Sequence, residues 1–282
     1  MPDFIPFICV YQRSDHSIIR FDKPPYVIST STIHDFEWKP TIYERPTRDG
    51  GKITRVRRPS IAKQIVLDVF ADTPAEYNDA MNYLADFVEY DNAHGTSGKL
   101  IVNGQYCRCR LIGKYNDIRR ENPLHTLVTL IVQVEEPMWI TEKRFSYTPT
   151  AANVGSEAKR YPYSYNYSYA PSESTFRVNN ASEFSSKMKI TFYGPVTNPQ
   201  IRFADNVIGL NLYLAAGEYA VIDQLTQTIS KIAADGTATN CFNARQKSGD
   251  CFMPLPSGST SIISTGAVDI TVYEQRSEPL WK

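Results

Sequence analysis

The residue types that most often carry out chemistry are present in this chain of 282 residues, but not at spacings that a known reaction needs. The histidines are scattered without an H-x-x-x-H pair; they are His16, His34, His94 and His125. The segment 95–98 is not the glycine-flanked turn of a hydrolase serine, and no glycine-rich phosphate loop occurs. Carboxylates such as Asp68 and Asp269 could pair as in a glycosidase, although any β-sandwich of this size offers such pairs. We therefore expect no enzyme and no cofactor site.

The five cysteines do not indicate a metal or redox site either. Cys107 and Cys109 are separated by one residue and would lie on the same face of a strand, which is not the C-x-x-C spacing of zinc and redox sites. An odd number of cysteines in a long chain is not typical of a disulfide framework. We interpret them as buried free thiols in a protein made in a reducing cytoplasm, and we predict no metal site.

One group of charged residues points to a contact surface. Asp49-Gly50-Gly51 is a turn signal, and Ile53, Arg55 and Arg57 are expected to share one face of the strand that follows. The pattern predicts a protruding basic hairpin, whose candidate residues are Arg48, Lys52, Arg55, Arg57 and Arg58. Such an arm could meet an acidic partner surface or a neighbouring subunit. Alternatively, its charges only keep an exposed strand edge from aggregating.

A single amphipathic helix is predicted after the apolar, strand-like run 62–71. Thr73 can cap it, Pro74 suits its first turn, and Glu76 can complete a capping box. Apolar residues then recur at helical spacing up to the glycines at 95 and 98; they are Tyr77, Ala80, Met81, Leu84 and Val88. A sheet is the only surface available to bury this stripe. With a hairpin signal at 103–104, the first half is predicted to be an antiparallel barrel or sandwich with one packed helix.

The second half contains strand patterns only. Three strands alternate cleanly, with apolar Met188, Ile190 and Phe192 in the first, Leu210, Leu212 and Leu214 in the second, and Val268, Ile270 and Val272 in the third. Such alternation predicts half-buried strands with one face in water. Asp235-Gly236 marks a further hairpin. Short, evenly spaced strands without a helix predict a β-sandwich of jelly-roll type, so the whole chain is expected to be mainly β.

A stretch without periodicity separates the two halves. Residues 137–174 are rich in tyrosine, serine and proline, which indicates a linker, although an exposed strand laid on a domain surface would also fit the tyrosine–serine alternation. The predicted domains are 1–147 and 174–282, joined by a linker at 148–173. A formal net charge of +0 argues against nucleic-acid and anionic-membrane binding. No signal peptide or transmembrane segment is expected.

Several motifs of the second half occur in a characteristic order. They are ITFYGP and NP within 190–199, LAAGE and ID within 214–223, DG and TN within 235–240, LPSG at 255–258 and YEQR at 273–276. The first half adds the helix segment DTPAEYNDAMNYLADFVEYD and the ending EEPMW. Over nearly the whole chain, this order closely resembles the distal tail proteins of siphophages, which are components of the baseplate hub.

The resemblance implies a structural virion protein at the tail tip, assembled in the cytoplasm of the bacterial host. In this family a tail-tube-like N-terminal domain forms a hexameric ring, and a galectin-like β-sandwich lies outside it. The implied partners are further copies of the chain, the tail-tube protein, the tail-associated hub protein and the tape-measure protein, with a receptor-binding protein or host glycans as further candidates. The basic hairpin then becomes a candidate for the contact between ring subunits or for the channel wall.

The competing interpretation is a carbohydrate-binding protein that attaches to host cell-surface glycans. In that case the β-sandwich would be the lectin, and exposed aromatic rings would stack on sugars. The chain has only 3 tryptophans, and Trp139 and Trp281 lie at the ends of the predicted domains, which weakens this interpretation. Glycan binding would favour the lectin, whereas a six-fold ring would favour the tail hub.

Overall fold

The computed structural model describes residues 7–118, 124–148 and 174–281, which form two compact units. Within the described residues, the first unit runs up to Ile140 and includes the chain from Arg276 onward. The second unit lies within Thr141–Gln275. The predicted linker at 148–173 lies outside the described residues except for Thr148, and so do the first six residues of the chain. The domain boundaries inferred from the sequence therefore stay a prediction.

Antiparallel strands build the first unit. They are β1 (Cys9–Gln12), β2 (Ile18–Arg20), β3 (Asp22–Lys23), β4 (Tyr26–Ser31), β5 (Lys39–Glu44), β6 (Gly51–Arg57), β7 (Ile61–Phe70), β8 (Gly98–Val102), β9 (Gln105–Ile118) and β10 (His125–Val134), with the start of β11 (Trp139–Tyr147). Neighbouring strands follow the order β2-β1-β8-β9-β10-β7-β4-β3. Every second residue of β10 is buried, as expected for a strand with one face on a core. Ten residue pairs join β10 to β7, and β9 pairs with the other edge of β10, so β10 lies near the middle of this order.

One helix, α1 (Pro74–His94), packs against this sheet as predicted. The side chain of Thr73 accepts a hydrogen bond from the backbone nitrogen of Glu76 at 3.3 Å, and Gly95 ends the helix with a φ of 65°. Three residues of the predicted stripe are buried, namely Ala80, Leu84 and Val88, while Tyr77 and Met81 are partly buried. Among the described residues, no helix combines the length and apolarity that a membrane span requires.

The last turn of α1 carries a buried carboxylate, Asp91, which joins the helix to the strand β1. Its oxygens accept hydrogen bonds from the Tyr11 hydroxyl at 2.7 Å, the Ser14 hydroxyl at 2.7 Å and the Thr96 hydroxyl at 2.9 Å. Burial alone would raise the pKa of Asp91, but the hydrogen bonds from Ser14 and Tyr11 outweigh it and lower the pKa below its ordinary value. The ionised side chain is therefore a stabilising part of the folded unit.

The end of the chain also packs within the first unit. The Gln105 side chain accepts a hydrogen bond from the backbone nitrogen of Leu280 at 2.8 Å, and the Asn103 amide donates to the Leu280 carbonyl at 3.3 Å. The indole of Trp281 stacks on the imidazole of His34 with ring centroids 3.8 Å apart. Burial lowers the pKa of His34, so the ring beneath Trp281 favours its neutral form.

The second unit is a β-sandwich with its own core. One sheet contains β13 (Met188–Tyr193), β18 (Tyr219–Asp223), β19 (Thr228–Ile232), β20 (Ala238–Asn240) and β22 (Val268–Arg276), in the order β20-β19-β18-β13-β22. The other sheet contains β12 (Ser174–Asn180), β15 (Gln200–Phe203), β16 (Asn206–Gly209) and β21 (Gly258–Ser264), in the order β12-β21-β15-β16, and the short strands β14 (Val196–Thr197) and β17 (Tyr213–Leu214) pair separately. Buried residues from both sheets meet in one cluster, which includes Ile190, Phe203 and Ile262. Both fold-class predictions, a mainly β first unit with one helix and a second β-sandwich, are confirmed.

Two stretches of the sandwich depart from the sequence prediction. Residues 210–214 do not form one strand, because Leu210 forms an isolated bridge with Arg245 and only Tyr213–Leu214 is a strand, β17. In β13, Met188, Ile190 and Phe192 are buried and alternate with partly exposed residues, as predicted. In β22, Asp269, Thr271 and Tyr273 are buried as well as Val268, Ile270 and Val272, so the predicted wet face does not exist. β22 lies between β13 and β11 in the sheet order, so both of its edges are paired, and Arg144 of β11 forms an ion pair with Asp269. The hydroxyl of Tyr193 donates to the same carboxylate at 2.6 Å.

Candidate functional site

An exposed hairpin projects from the first unit at the position that the sequence predicted. The strands β5 and β6 pair with each other and, within the described residues, with no other strand. Every residue of both strands is exposed. The connecting turn places Gly50 at a φ of 86°, which favours glycine, and a Cβ at Gly51 would lie 2.5 Å from the Ile42 side chain. A larger residue would strain the backbone at Gly50 and collide with Ile42 at Gly51.

A bulge at Thr54 gives this β5–β6 hairpin two chemically different faces. Thr41 pairs with Arg55 but Ile42 pairs with Ile53, so Thr54 is an extra residue in β6. Because directly opposed residues share a face and neighbours alternate, Ile53 lies on the face opposite to Arg55. The prediction that Ile53, Arg55 and Arg57 share one face is wrong for this reason, since sequence spacing alone cannot show a bulge.

The apolar face of the hairpin consists mainly of Pro40, Ile42, Ile53 and Val56. The relative exposure of its large side chains is 55% for Ile42, 59% for Ile53 and 44% for Val56. The basic face carries Lys39, Lys52, Arg55 and Arg57, with Thr41 and Tyr43 between them. Lys52, Arg55 and Arg57 take part in none of the ion pairs found among the described residues. An exposed two-stranded ribbon with this composition is typical of a protein contact surface.

The two remaining candidates occupy different places. Arg48 lies in the exposed loop between β5 and β6. Arg58 follows β6 and is partly buried at the base of the hairpin, where its guanidinium carbon lies 4.3 Å from the centre of the Trp38 ring. Burial lowers the pKa of Arg58. The structure therefore brings Lys52, Arg55 and Arg57 together on one face, while Arg58 contacts the residue that precedes β5.

A second surface of the first unit was not identified from the sequence. An open groove of about 790 Å³ lies where the end of β7 and the start of β4 meet the first half of α1. Its apolar lining includes Pro25, Phe70 and Tyr83, and its carboxylates are Asp72, Glu76 and Asp79. None of the described residues that line it is basic. The segments that line the groove are distant in sequence, so the sequence does not show that they meet. The acidic residues at the start of α1 are the only local sign of the groove, and from the sequence they are interpreted as part of the helix cap.

The structure brings together no metal or catalytic cluster in the part of the chain that it describes. No group of three metal-ligating side chains is found there. Asp68 pairs with His125 at 2.8 Å, and Asp269 is held by Arg144 and Tyr193, so each carboxylate already has a partner. Cys107 and Cys109 are free and buried as predicted, and burial raises the pKa of the Cys109 thiol.

Solved structures of phage tail components have the same fold. No protein-family model and no curated protein matches this sequence. The crystal structure of SPP1 Dit (gp 19.1), described as a paradigm of hub adsorption apparatus in Gram-positive infecting phages, has a TM-score of 0.67 at 14% identity, over 96% of this chain and 99% of that chain. A chain of the phage P2 baseplate in its activated conformation with Ca has a TM-score of 0.65 at 12% identity, over 98% of this chain and 100% of that chain. The same baseplate with Sr has a TM-score of 0.64 at 13% identity, over 97% of this chain and 99% of that chain.

The resemblance inferred from the motifs is thus confirmed at the level of fold. Along nearly its whole length, this chain has the fold of phage Dit and baseplate hub proteins.

Proposed function

We propose that this chain is a structural subunit of a siphophage tail hub, and that copies of it form a hexameric ring at the distal end of the tail. The observation that carries the proposal is the fold shared with SPP1 Dit over almost the full length of both chains. The ring joins the tail tube to the tail-associated hub and the host-adhesion device, and the tape-measure protein passes through its channel. The subunit supplies shape and contacts rather than catalysis.

The exposed β5–β6 hairpin supports this proposal independently. The exposed side chains of Ile42, Ile53 and Val56 do not stabilise a single chain, because they are not buried in its core. In a subunit of an assembly, contact with the neighbouring copy would bury them. We assign Lys52, Arg55 and Arg57 to the contact between ring subunits, and Arg58 to the base that orients the hairpin. Arg48, at the hairpin tip, is assigned to the same contact.

Immunogold labelling of virions tests the proposed location. An antibody against the chain should label one end of the tail, at the tip farthest from the capsid. Label along the whole tail or on the capsid would contradict the proposal.

Carbohydrate binding remains the alternative, and the tryptophans Trp139 and Trp281 do not favour it. Trp139 is only 2% exposed in the core of the first unit, and Trp281, which is 71% exposed, stacks on His34 in the first unit and is not part of the β-sandwich. Screening the full-length chain on a glycan array tests this alternative, because a lectin should bind a defined set of glycans. No glycan binding, together with a six-fold ring in electron micrographs, would favour the tail hub.

A further inference from the structure

The β5–β6 hairpin and the acidic groove have complementary properties. The hairpin presents an apolar face with aliphatic side chains about half exposed and a basic face with Lys52, Arg55 and Arg57. The groove presents an apolar floor and the carboxylates of Asp72, Glu76 and Asp79, with no basic lining residue among those described. Each surface lacks what the other offers, namely cover for its apolar atoms and a counter-charge.

The groove can accept an apolar surface. A groove of about 790 Å³ has room for several aliphatic side chains, and it lies in the range of sites that bind drug-sized molecules. Phe70 and Tyr83 are 40% and 49% exposed in the single chain, so their rings are available to an incoming apolar face. Glu76 and Asp79 are three residues apart on α1 and therefore lie side by side on the helix surface.

We propose that the hairpin of one copy binds in the acidic groove of the next copy. The apolar face packs on Phe70 and Tyr83, and the long side chains of Arg55 and Arg57 bend around the hairpin edge to reach Glu76 and Asp79. Because the two surfaces are different patches of one chain, every copy donates a hairpin and accepts another. Such a heterologous contact generates a ring when its rotation closes. The inference identifies the partner surface within the proposed ring and so rests on the proposed function.

A charge-swap experiment with two full-length variants tests this contact. One variant carries Arg55→Glu and Arg57→Glu, and the other carries Glu76→Lys and Asp79→Lys. Each variant alone should remain a single chain, because its hairpin and groove then have the same sign. An equimolar mixture should assemble again, because each variant's hairpin is then opposite in sign to the other variant's groove. The readout is particle mass by light scattering after size exclusion, and Arg202→Glu, an exposed charge reversal in β15, is the control that should assemble as the unaltered chain does.

The outcomes separate this inference from the proposed function. If the unaltered chain assembles and the mixture of variants stays at the mass of single chains, the hairpin does not bind this groove, although the ring itself stands. If either variant alone assembles normally, the inference is also overturned. If the unaltered chain does not assemble, the ring of the proposed function fails. Recovery of mass in the mixture also shows that both variants are folded.

Discussion

Ile42 and Ile53 lie directly opposite each other across the β5–β6 hairpin, and the side chains of both are more than half exposed. They pair because the bulge at Thr54 shifts β6 by one residue, which separates the apolar side chains from Arg55 and Arg57. An amphipathic ribbon therefore results from a sequence in which apolar and basic residues alternate irregularly. We therefore expect the two faces to respond differently to substitution.

The substitution Ile53→Ser tests the apolar face. Because Ile53 is exposed in the single chain, the free energy of unfolding of the monomer should change by no more than about 0.5 kcal/mol. Assembly should weaken, because the lost side chain no longer packs in the contact. Melting curves of the dilute chain and particle mass at higher concentration provide the two readouts.

Ile18→Ser is the matched control for that experiment. Ile18 is 53% exposed in β2, against 59% for Ile53, but it lies outside the hairpin. It should leave both readouts unchanged. Equal effects of the two substitutions on assembly would show that the hairpin has no special role.

The cap of α1 gives a prediction on stability. Thr73→Ala removes the side chain that accepts from the backbone of Glu76, so the free energy of unfolding should fall by about 1 kcal/mol. Thr73→Asp keeps an acceptor and should retain most of that stability. Urea denaturation of the three proteins checks the order, and an unaffected Thr73→Ala variant would mean that the cap contributes nothing.

Asp91 should make the stability of the chain depend on acid. Its pKa in the folded state is lowered, so its ionised form stabilises the fold above the ordinary value of 3.8, and this contribution is lost as the pH falls through the lowered pKa. Asp91→Asn should cost about 1–3 kcal/mol near neutral pH because it weakens hydrogen bonds to a buried group. The gap between the two proteins should begin to narrow below about pH 4, where the carboxyl group of the unfolded chain becomes protonated, and it should keep narrowing until the pH has passed the lowered pKa of the folded chain. A constant gap from neutral to acidic pH would contradict this assignment.

The stacking of Trp281 on His34 predicts a shift in titration. Trp281→Ala uncovers the imidazole, so the pKa of His34 should rise toward its ordinary value of 6.5, whereas Trp281→Phe should preserve more of the lowering. In the native chain the neutral ring contributes stability above that value, and the contribution is lost as the pH falls through the lowered pKa. Proton NMR of the His34 ring measures the pKa directly, and an identical pKa in the alanine variant would show that Trp281 does not shield it.

Local sequence chemistry was sufficient for some of these features and insufficient for others. The helix begins after Thr73 and ends at Gly95, as predicted, because helix caps act within a few residues. The turn at Asp235-Gly236 also depends only on local residues, and it forms with Gly236 at a φ of 86°. The bulge at Thr54 depends on pairing across the hairpin, which spacing along one strand does not contain. The ion pair of Asp269 is made with Arg144, a residue far away in the sequence. The acidic groove likewise exists only when β4, β7 and α1 have come together.

The mass and symmetry of the purified full-length chain are the decisive test of the proposed ring. Native mass spectrometry should give a particle of six times 32.0 kDa, and electron micrographs of the same sample should show six-fold rings around a central channel. A particle that stays at the mass of one chain at all concentrations, or open filaments without closure, would contradict the account.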